Sequence, residues 1–427
     1  MEKKTKIWRW RIFAATWLAY FGFYFCRKPF FLAKASLLRE RKWSINDLGN
    51  LGTTYHVAYA SGQFLSGALG QMLGARVLLL AGMSCSIFAN LAFGFTNTFT
   101  IFAAFMLLNG VAQSTGWSAG VGTMAQWFHR QERGTVMGFW ATNYQAGGVV
   151  ANLVAAWFLG NHGYKSSFYG PCVILGCITV FVFFNHRNRP GDLGLESIVE
   201  EEEAKSGTAG DTAKPVEVRR GIGWNAQTVI NVLIVGTFYF FVKFIRYTLW
   251  SWVPMLLNLS YGTTERNAGN LSTVFDACGP FGVITAGILS DRFFRGRRAM
   301  ISFIFILAMG ASCFLLYTLG QKDLTIFTIA LGLIGFTLYG PDALMTGAGA
   351  IDVGSPRAAV LSAGIINGMG SIGSIAQELL FKKRLKLDAD GHIDPDVVFT
   401  YLLLSSALAA LCLALLLWRN HRGAADM

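Results

Sequence analysis

Six ionisable side chains stand inside long apolar runs of this sequence: Arg27, Lys28, Lys243, Arg246, Asp276 and Asp342. A charge within a membrane-spanning helix is costly, so such residues are functional candidates by default. Four of the six are positive and two negative, which leaves a net positive interior. An uncompensated cation in a low dielectric is unfavourable, and an anionic ligand would relieve the cost. Two guanidinium groups suit one anion in particular, because their planar donor forks match the oxygens of a phosphate.

The spacing supports a shared task. Tyr20, Tyr24 and Arg27 are spaced i, i+4, i+7, as are Tyr239, Lys243 and Arg246, with Trp250 following. On a helix each set lies along one face. A shift of 219 positions carries Tyr20 onto Tyr239, Tyr24 onto Lys243 and Arg27 onto Arg246. Each arginine alone could instead snorkel to the headgroups; the matched aromatic flanks favour a site. Lys28 lies about 100° around the helix from Arg27 and serves either the site or an inter-helix ion pair. Asp276 either balances a cation or carries a proton. Asp342, in Tyr339-Gly340-Pro341-Asp342, caps or hinges its helix. Tyr59 shares a face with Gln63 and either packs or touches the ligand. Asn143 and Tyr144 precede Gly147-Gly148, where close helix approach is expected.

The elements that would hold these residues follow from composition. Of 427 residues, 53% are hydrophobic and 14% charged, against roughly 25% charged in soluble domains. At about 20 apolar residues per crossing, helices are predicted over 10–37, 47–71, 76–95, 98–128, 134–159, 167–185, 227–257, 267–290, 298–318, 324–348, 357–382 and 397–418. The one long polar stretch, 186–224, reads as a linker. It divides the chain into six-helix bundles over 1–185 and 225–427. The basic, apolar N-terminus lacks a small-residue cleavage site and is expected to be a retained first helix. The Lys/Arg bias of the loops favours both termini in the cytoplasm.

An internal repeat runs through the chain. Gly67-Ala-Leu-Gly-Gln71-Met-Leu-Gly74-Ala-Arg76 is answered by Gly287-Ile-Leu-Ser-Asp291-Arg292-Phe-Phe-Arg295-Gly296-Arg297-Arg298, 220 positions on. Arg133-Gly134 is answered by Arg357-Ala358, and Asn143 by Asn367, each 224 positions on. Parallel six-helix repeats build one large transporter class. Other chemistries find little support. The net charge of +12 has no soluble basic domain to carry it, so nucleic acid is not expected. The seven cysteines form no CxxC pair, the six histidines lack ligand spacing, and no catalytic triad or phosphate-cradling loop is visible. No metal, cofactor or enzymatic activity is expected.

The glycine-rich loop with Asp291 and Arg292 resembles the signature of the major facilitator superfamily. More specifically, Tyr24-Phe25-Cys26-Arg27-Lys28-Pro29-Phe30, Gly116-Trp117, Trp127-Phe128 through Glu132-Arg133-Gly134, Gly147-Gly148, Arg246-Tyr247, Trp252-Val253-Pro254, Ser290–Gly296 and Tyr339-Gly340-Pro341 resemble its organophosphate:phosphate antiporter family. The resemblance implies an all-α integral membrane protein, with twelve transmembrane helices in two halves related by a pseudo-twofold axis. It implies that Arg27 and Arg246 bind phosphate, that Tyr20, Tyr24 and Tyr59 are site tyrosines, and that Asp276 is the acidic position of helix 8. Asp291/Arg292 and Glu132/Arg133 would form contacts broken in each cycle. The sequence departs from the family's glycerol-3-phosphate carrier, which has histidine at Tyr144, lysine at Gln63, tyrosine at Lys243 and aspartate at Ser251. It also has Gly116-Trp117-Ser118-Ala119-Gly120 for the usual Gly-Trp-Pro-Pro-Cys. These changes bear on the organic part of the substrate. The expected function is exchange of an organic phosphate for inorganic phosphate by a monomeric inner-membrane carrier. A membrane sensor of external organophosphate and a proton-coupled organic-anion carrier are the alternatives.

Overall fold

The computed structural model describes residues 2–128, 136–196, 226–294, 297–346 and 359–422. The regular structure among them is helical, apart from an isolated bridge between Leu387 and Ile393. In the first part of the chain the helices are α1 (Glu2–Phe23), α2 (Lys28–Leu32), α3 (Lys34–Arg41), α4 (Ile45–Leu73), α5 (Ala75–Phe95), α6 (Phe99–Trp127), α7 (Thr142–His162) and α8 (Tyr164–Asn185). In the second part they are α9 (Ala226–Leu259), α10 (Glu265–Arg292), α11 (Arg298–Leu315), α12 (Leu324–Thr346), α13 (Ala359–Arg384) and α14 (Pro395–His421). Each predicted span overlaps at least one of them. Among the described residues α5, α6, α8, α9, α10, α11 with its π turn to Gly320, α12 and α14 are long and apolar enough to cross a membrane. The other long helices, α1, α4, α7 and α13, carry many of the polar residues singled out above.

The first span corrects the sequence reading. It is not one helix over 10–37: α1 ends at Phe23, a 3-10 turn follows at Tyr24–Cys26, and α2 and α3 are short. The cause is Pro29. It has no N–H to give to the carbonyl four residues back, so the helix cannot run through it with its bonds intact. The break exposes the carbonyl of Cys26, which takes side-chain donors instead: Asn90 Nδ2 of α5 at 2.9 Å and Asn109 Nδ2 of α6 at 3.0 Å. A buried carbonyl left without such partners would cost about 1–3 kcal/mol.

Packing divides the chain into two compact units. The first comprises residues 1–30, 57–158 and 162–220; the second comprises 31–56, 159–161 and 221–427. Residues 31–56, although early in the sequence, thus belong by their contacts with the second unit. Within the first unit α5 packs on α6 and α8, and α1 on α6 and α8. Within the second, α11 packs on α12 and α14, and α9 on α12 and α14. These four packings recur in both units at the places the sequence repeat pairs. Two close approaches show why glycines sit where they do. A Cβ on Gly335 of α12 would lie 2.0 Å from the Phe275 carbonyl of α10, and one on Gly373 of α13 would lie 2.2 Å from the Phe240 carbonyl of α9.

At the start of the expected connector, residues 186–196 pack onto the first unit. Leu195 joins a core with Ile12, Met124, Trp127, Phe128 and Trp140. His186 is buried and bonded to the Thr123 hydroxyl at 3.0 Å, and Trp127 Nε1 donates to the Arg187 carbonyl. Burial, with Arg76 and Arg187 nearby, pushes the His186 pKa down to about 4.

Candidate functional site

In the first unit the helix break points Arg27 inward. It caps the 3-10 turn, its N–H bonded to the Tyr24 carbonyl at 3.1 Å, and it is 5% exposed. Its Nε donates to Gln113 Oε1 at 3.1 Å. Gln113 is itself fixed, since its Nε2 donates to the Phe23 carbonyl at 2.9 Å and to Ser86 Oγ at 3.3 Å. The guanidinium lies over Tyr24, Tyr59 and Tyr20, at 4.6, 5.0 and 5.9 Å from the ring centroids. The Tyr20 and Tyr59 side chains are hydrogen-bonded to one another. Three electron-rich ring faces hold the cation without neutralising it. Apart from Asp47, the first six predicted spans contain no carboxylate.

Small residues make room for this cluster. A Cβ on Gly147 of α7 would fall 2.8 Å from the Phe21 carbonyl of α1, the close approach expected before Tyr144. On Gly116 it would meet the Phe23 and Tyr20 rings at 2.6 and 3.0 Å, and next to it Trp117 packs edge-on against Tyr20. Lys28 is buried at the start of α2, and Tyr144 is half-buried on α7. Beside Tyr144, the amide of Asn143 is fully buried, yet neither its nitrogen nor its oxygen has a hydrogen-bond partner among the described residues.

In the second unit Arg246 lies mid-helix in α9 and is 8% exposed. Its Nη1 donates to Asp342 Oδ2 of α12 at 3.0 Å, a buried ion pair. Its guanidinium lies over the Trp250 and Tyr339 rings, at 4.7 and 4.8 Å. Both rings are tied to Asp276 of α10: Trp250 Nε1 donates to Oδ1 at 2.8 Å, and the Tyr339 hydroxyl donates to the same oxygen at 2.5 Å. Asp342 thus does more than cap or hinge its helix, and Asp276 orients the aromatic cradle.

Lys243 and Tyr239 share the expected face but serve a different neighbour. The Lys243 ammonium lies over the Tyr239 ring at 4.9 Å and donates to Asn367 Oδ1 of α13 at 2.8 Å and to Ser371 Oγ at 3.4 Å. One helix face therefore divides between α12, through Arg246, and α13, through Lys243. Asp291 and Arg292 end α10. Arg292 is exposed, the side chain of Asp291 lies outside the described residues, and so do Glu132 and Arg133.

Sequence reasoning missed one pair. Lys34 and Glu378 are fully buried and joined at 3.1 Å within the second unit. Lys34 Nζ also donates to Ser251 Oγ at 2.5 Å and lies 3.8 Å from the Trp252 ring centroid. Ser251 is hydrogen-bonded to Glu378. Both residues fall inside predicted spans, so the rule that flagged Arg27 would have flagged them. In the sequence Lys34 is masked by its neighbours Arg39, Arg41 and Lys42, which make it look like part of a basic loop. Being opposite charges, the two leave the positive excess of the interior unchanged.

Aromatic-cradled arginines at matched places in two all-helical units define a class, the secondary carriers built from a duplicated six-helix unit. The defining sequence pattern of the Major Facilitator Superfamily matches residues 13–377, and the chain is a membrane-spanning transporter of that superfamily, within its organophosphate:phosphate antiporter family. It is 30% identical to the glucose-6-phosphate exchanger SLC37A2 of Xenopus laevis, over 85% of this chain and 84% of that one. It is 29% identical to the glycerol-3-phosphate transporter of Bacillus subtilis strain 168, over 88% of this chain and 86% of that one. Among solved structures it resembles the inward-open xylose transporter XylE from E. coli, with a TM-score of 0.72 over 96% of each chain at 13% identity, a likeness of fold alone.

Proposed function

We propose that this chain exchanges an organic phosphate for inorganic phosphate across the cell's inner membrane, as a monomer with both termini cytoplasmic. The observation that carries the reading is the pair of buried arginines, Arg27 on tyrosine rings and Arg246 on Trp250 and Tyr339. Aromatic faces orient a guanidinium while leaving N–H donors for a ligand. The names of the two relatives point to phosphorylated substrates as well. In this reading each arginine is a binding group for the oxygens of a dianionic phosphate, and the added charge shifts the balance between outward- and inward-open states. Asp342 holds Arg246 between turnovers and gives way to the phosphate. Candidate contacts for the organic part are Lys28, Tyr144 and Asn143 in the first unit and Tyr239 and Lys243 in the second.

Counterflow in proteoliposomes tests this. Vesicles loaded with inorganic phosphate should take up labelled phosphate, and external glycerol, hexose or three-carbon acid phosphates should compete to different degrees. Unimpaired exchange by both Arg27→Ala and Arg246→Ala would sink the site. Uptake that needs no internal phosphate and collapses with a protonophore would replace exchange by proton coupling. Binding without any flux would favour a sensor.

A further inference from the structure

A second cavity in the first unit is unrelated to the arginine clusters. It has a volume of about 580 Å³ and is lined by Lys6, Arg9, Trp10, Phe13, Trp17, Phe128, Val136, Phe139 and Thr142. Lys6, Trp10, Phe13 and Trp17 are spaced i, i+4, i+7, i+11, so they form one stripe along α1. The lining is graded: Lys6 and Arg9 stand at one end and aromatic rings fill the rest. Arg9 lies over the Phe128 ring at 4.8 Å, and Trp17 Nε1 bonds Thr142 Oγ1 at 3.1 Å at the far end. Trp10 and Phe139 remain 67% and 68% exposed, so this unit leaves the aromatic wall uncovered. The stripe from Lys6 to Trp17 rises roughly 16 Å, about the depth of one leaflet of a roughly 30 Å hydrocarbon core.

We propose that this groove is a binding site for one anionic glycerophospholipid. The headgroup phosphate sits at Lys6 and Arg9, and an acyl chain lies over Trp10, Phe13, Trp17 and Phe139. Charge complementarity selects the occupant. A free sugar phosphate would leave its hydroxyls against aromatic carbon, and a purely apolar molecule would gain nothing from the positive end of the groove. Only an amphiphile with an anionic head matches both ends, and basic residues at a helix terminus attract anionic lipids at about 1 kcal/mol each.

Native mass spectrometry of the purified chain in detergent provides the test, titrating phosphatidylglycerol and phosphatidylcholine with identical acyl chains. The expected result is a site preferring phosphatidylglycerol, its affinity falling roughly 30-fold in the Lys6→Gln/Arg9→Gln variant with phosphatidylcholine binding unchanged. Lys6→Gln alone, at an exposed position, should cost roughly fivefold, which covers the case in which Arg9→Gln fails to fold. Trp10→Ala should weaken both lipids alike. Equal binding of the two lipids, an unaltered affinity in the charge variants, or displacement of the lipid by millimolar inorganic phosphate would each overturn the assignment.

Discussion

The two arginines hold equivalent places in the repeat, yet their surroundings differ in charge and in backbone. Arg27 sits at a helix break and is oriented by a neutral amide, Gln113, and by three tyrosine rings. Arg246 sits in an unbroken 34-residue helix and is paired with a carboxylate, Asp342. The backbone difference traces to one residue: shifting Pro29 by 219 positions reaches Thr248, which keeps its N–H. The electrostatic difference teaches more. Gln113 cannot neutralise a cation, whereas Asp342 can, so on the proposed function an incoming phosphate would compete with the Asp342 carboxylate at the second cluster. Duplication preserved the donor and the aromatic cradle, and the partner diverged.

Several measurements break or sharpen this contrast. The largest effect is expected from the arginines themselves: Arg27→Ala and Arg246→Ala should each reduce phosphate exchange in proteoliposomes by roughly 30-fold or more, since a desolvated charge pair typically contributes about 2–5 kcal/mol. Next comes the buried Lys34–Glu378 pair of the second unit. Lys34→Met or Glu378→Gln alone strands a buried charge or breaks its network, costing about 3–5 kcal/mol and lowering the melting temperature in detergent. The Lys34→Met/Glu378→Met double variant should cost less than either single change; additive losses would contradict that account.

Acid should weaken the first unit through His186. Its folded pKa of about 4 lies below the ordinary 6.5, so the unfolded chain binds the extra proton first. Stability is full above pH 6.5, falls as pH drops through that window, and has lost about 3 kcal/mol once pH reaches 4. Thermal unfolding followed from pH 7 to 4 should show this slope, and His186→Gln should flatten it.

The smallest effect, and the most direct test of the contrast, exchanges the partners' charges. Gln113→Glu places a carboxylate where Arg27 now meets a neutral amide and should weaken phosphate binding roughly tenfold. Asp342→Asn removes the competitor at Arg246 and should tighten it by a similar factor, with slower release, each change being worth about 1.5 kcal/mol. Shifts of the same sign in the two variants would show that the clusters do not differ as described.

Much of the site was legible because membrane burial makes charge conspicuous. Arg27, Arg246, Asp276 and Asp342 stand out against apolar runs, and the 219-position shift pairs the arginines without any coordinates. The close helix approach at Gly147 was legible too, because a Cβ there meets backbone. Asn143 carried a weaker signal, its repeat match to Asn367 and its place beside Tyr144, and its buried amide without a hydrogen-bond partner among the described residues adds to its candidacy as a contact. Lys34 and Glu378 were not legible as a pair, because Lys34 borders a run of basic residues and its partner stands 344 positions away.

The sequence by itself determined the all-helical, duplicated membrane architecture and the residues worth testing, because spacing and hydropathy are local and periodic. Only the tertiary structure decided which charge meets which: Asp342 rather than Asp276 for Arg246 in the bond described, Asn367 for Lys243, and Glu378 for Lys34. It also decided that residues 31–56 pack with the second unit. Those choices rest on contacts between distant segments, whose geometry no local pattern encodes.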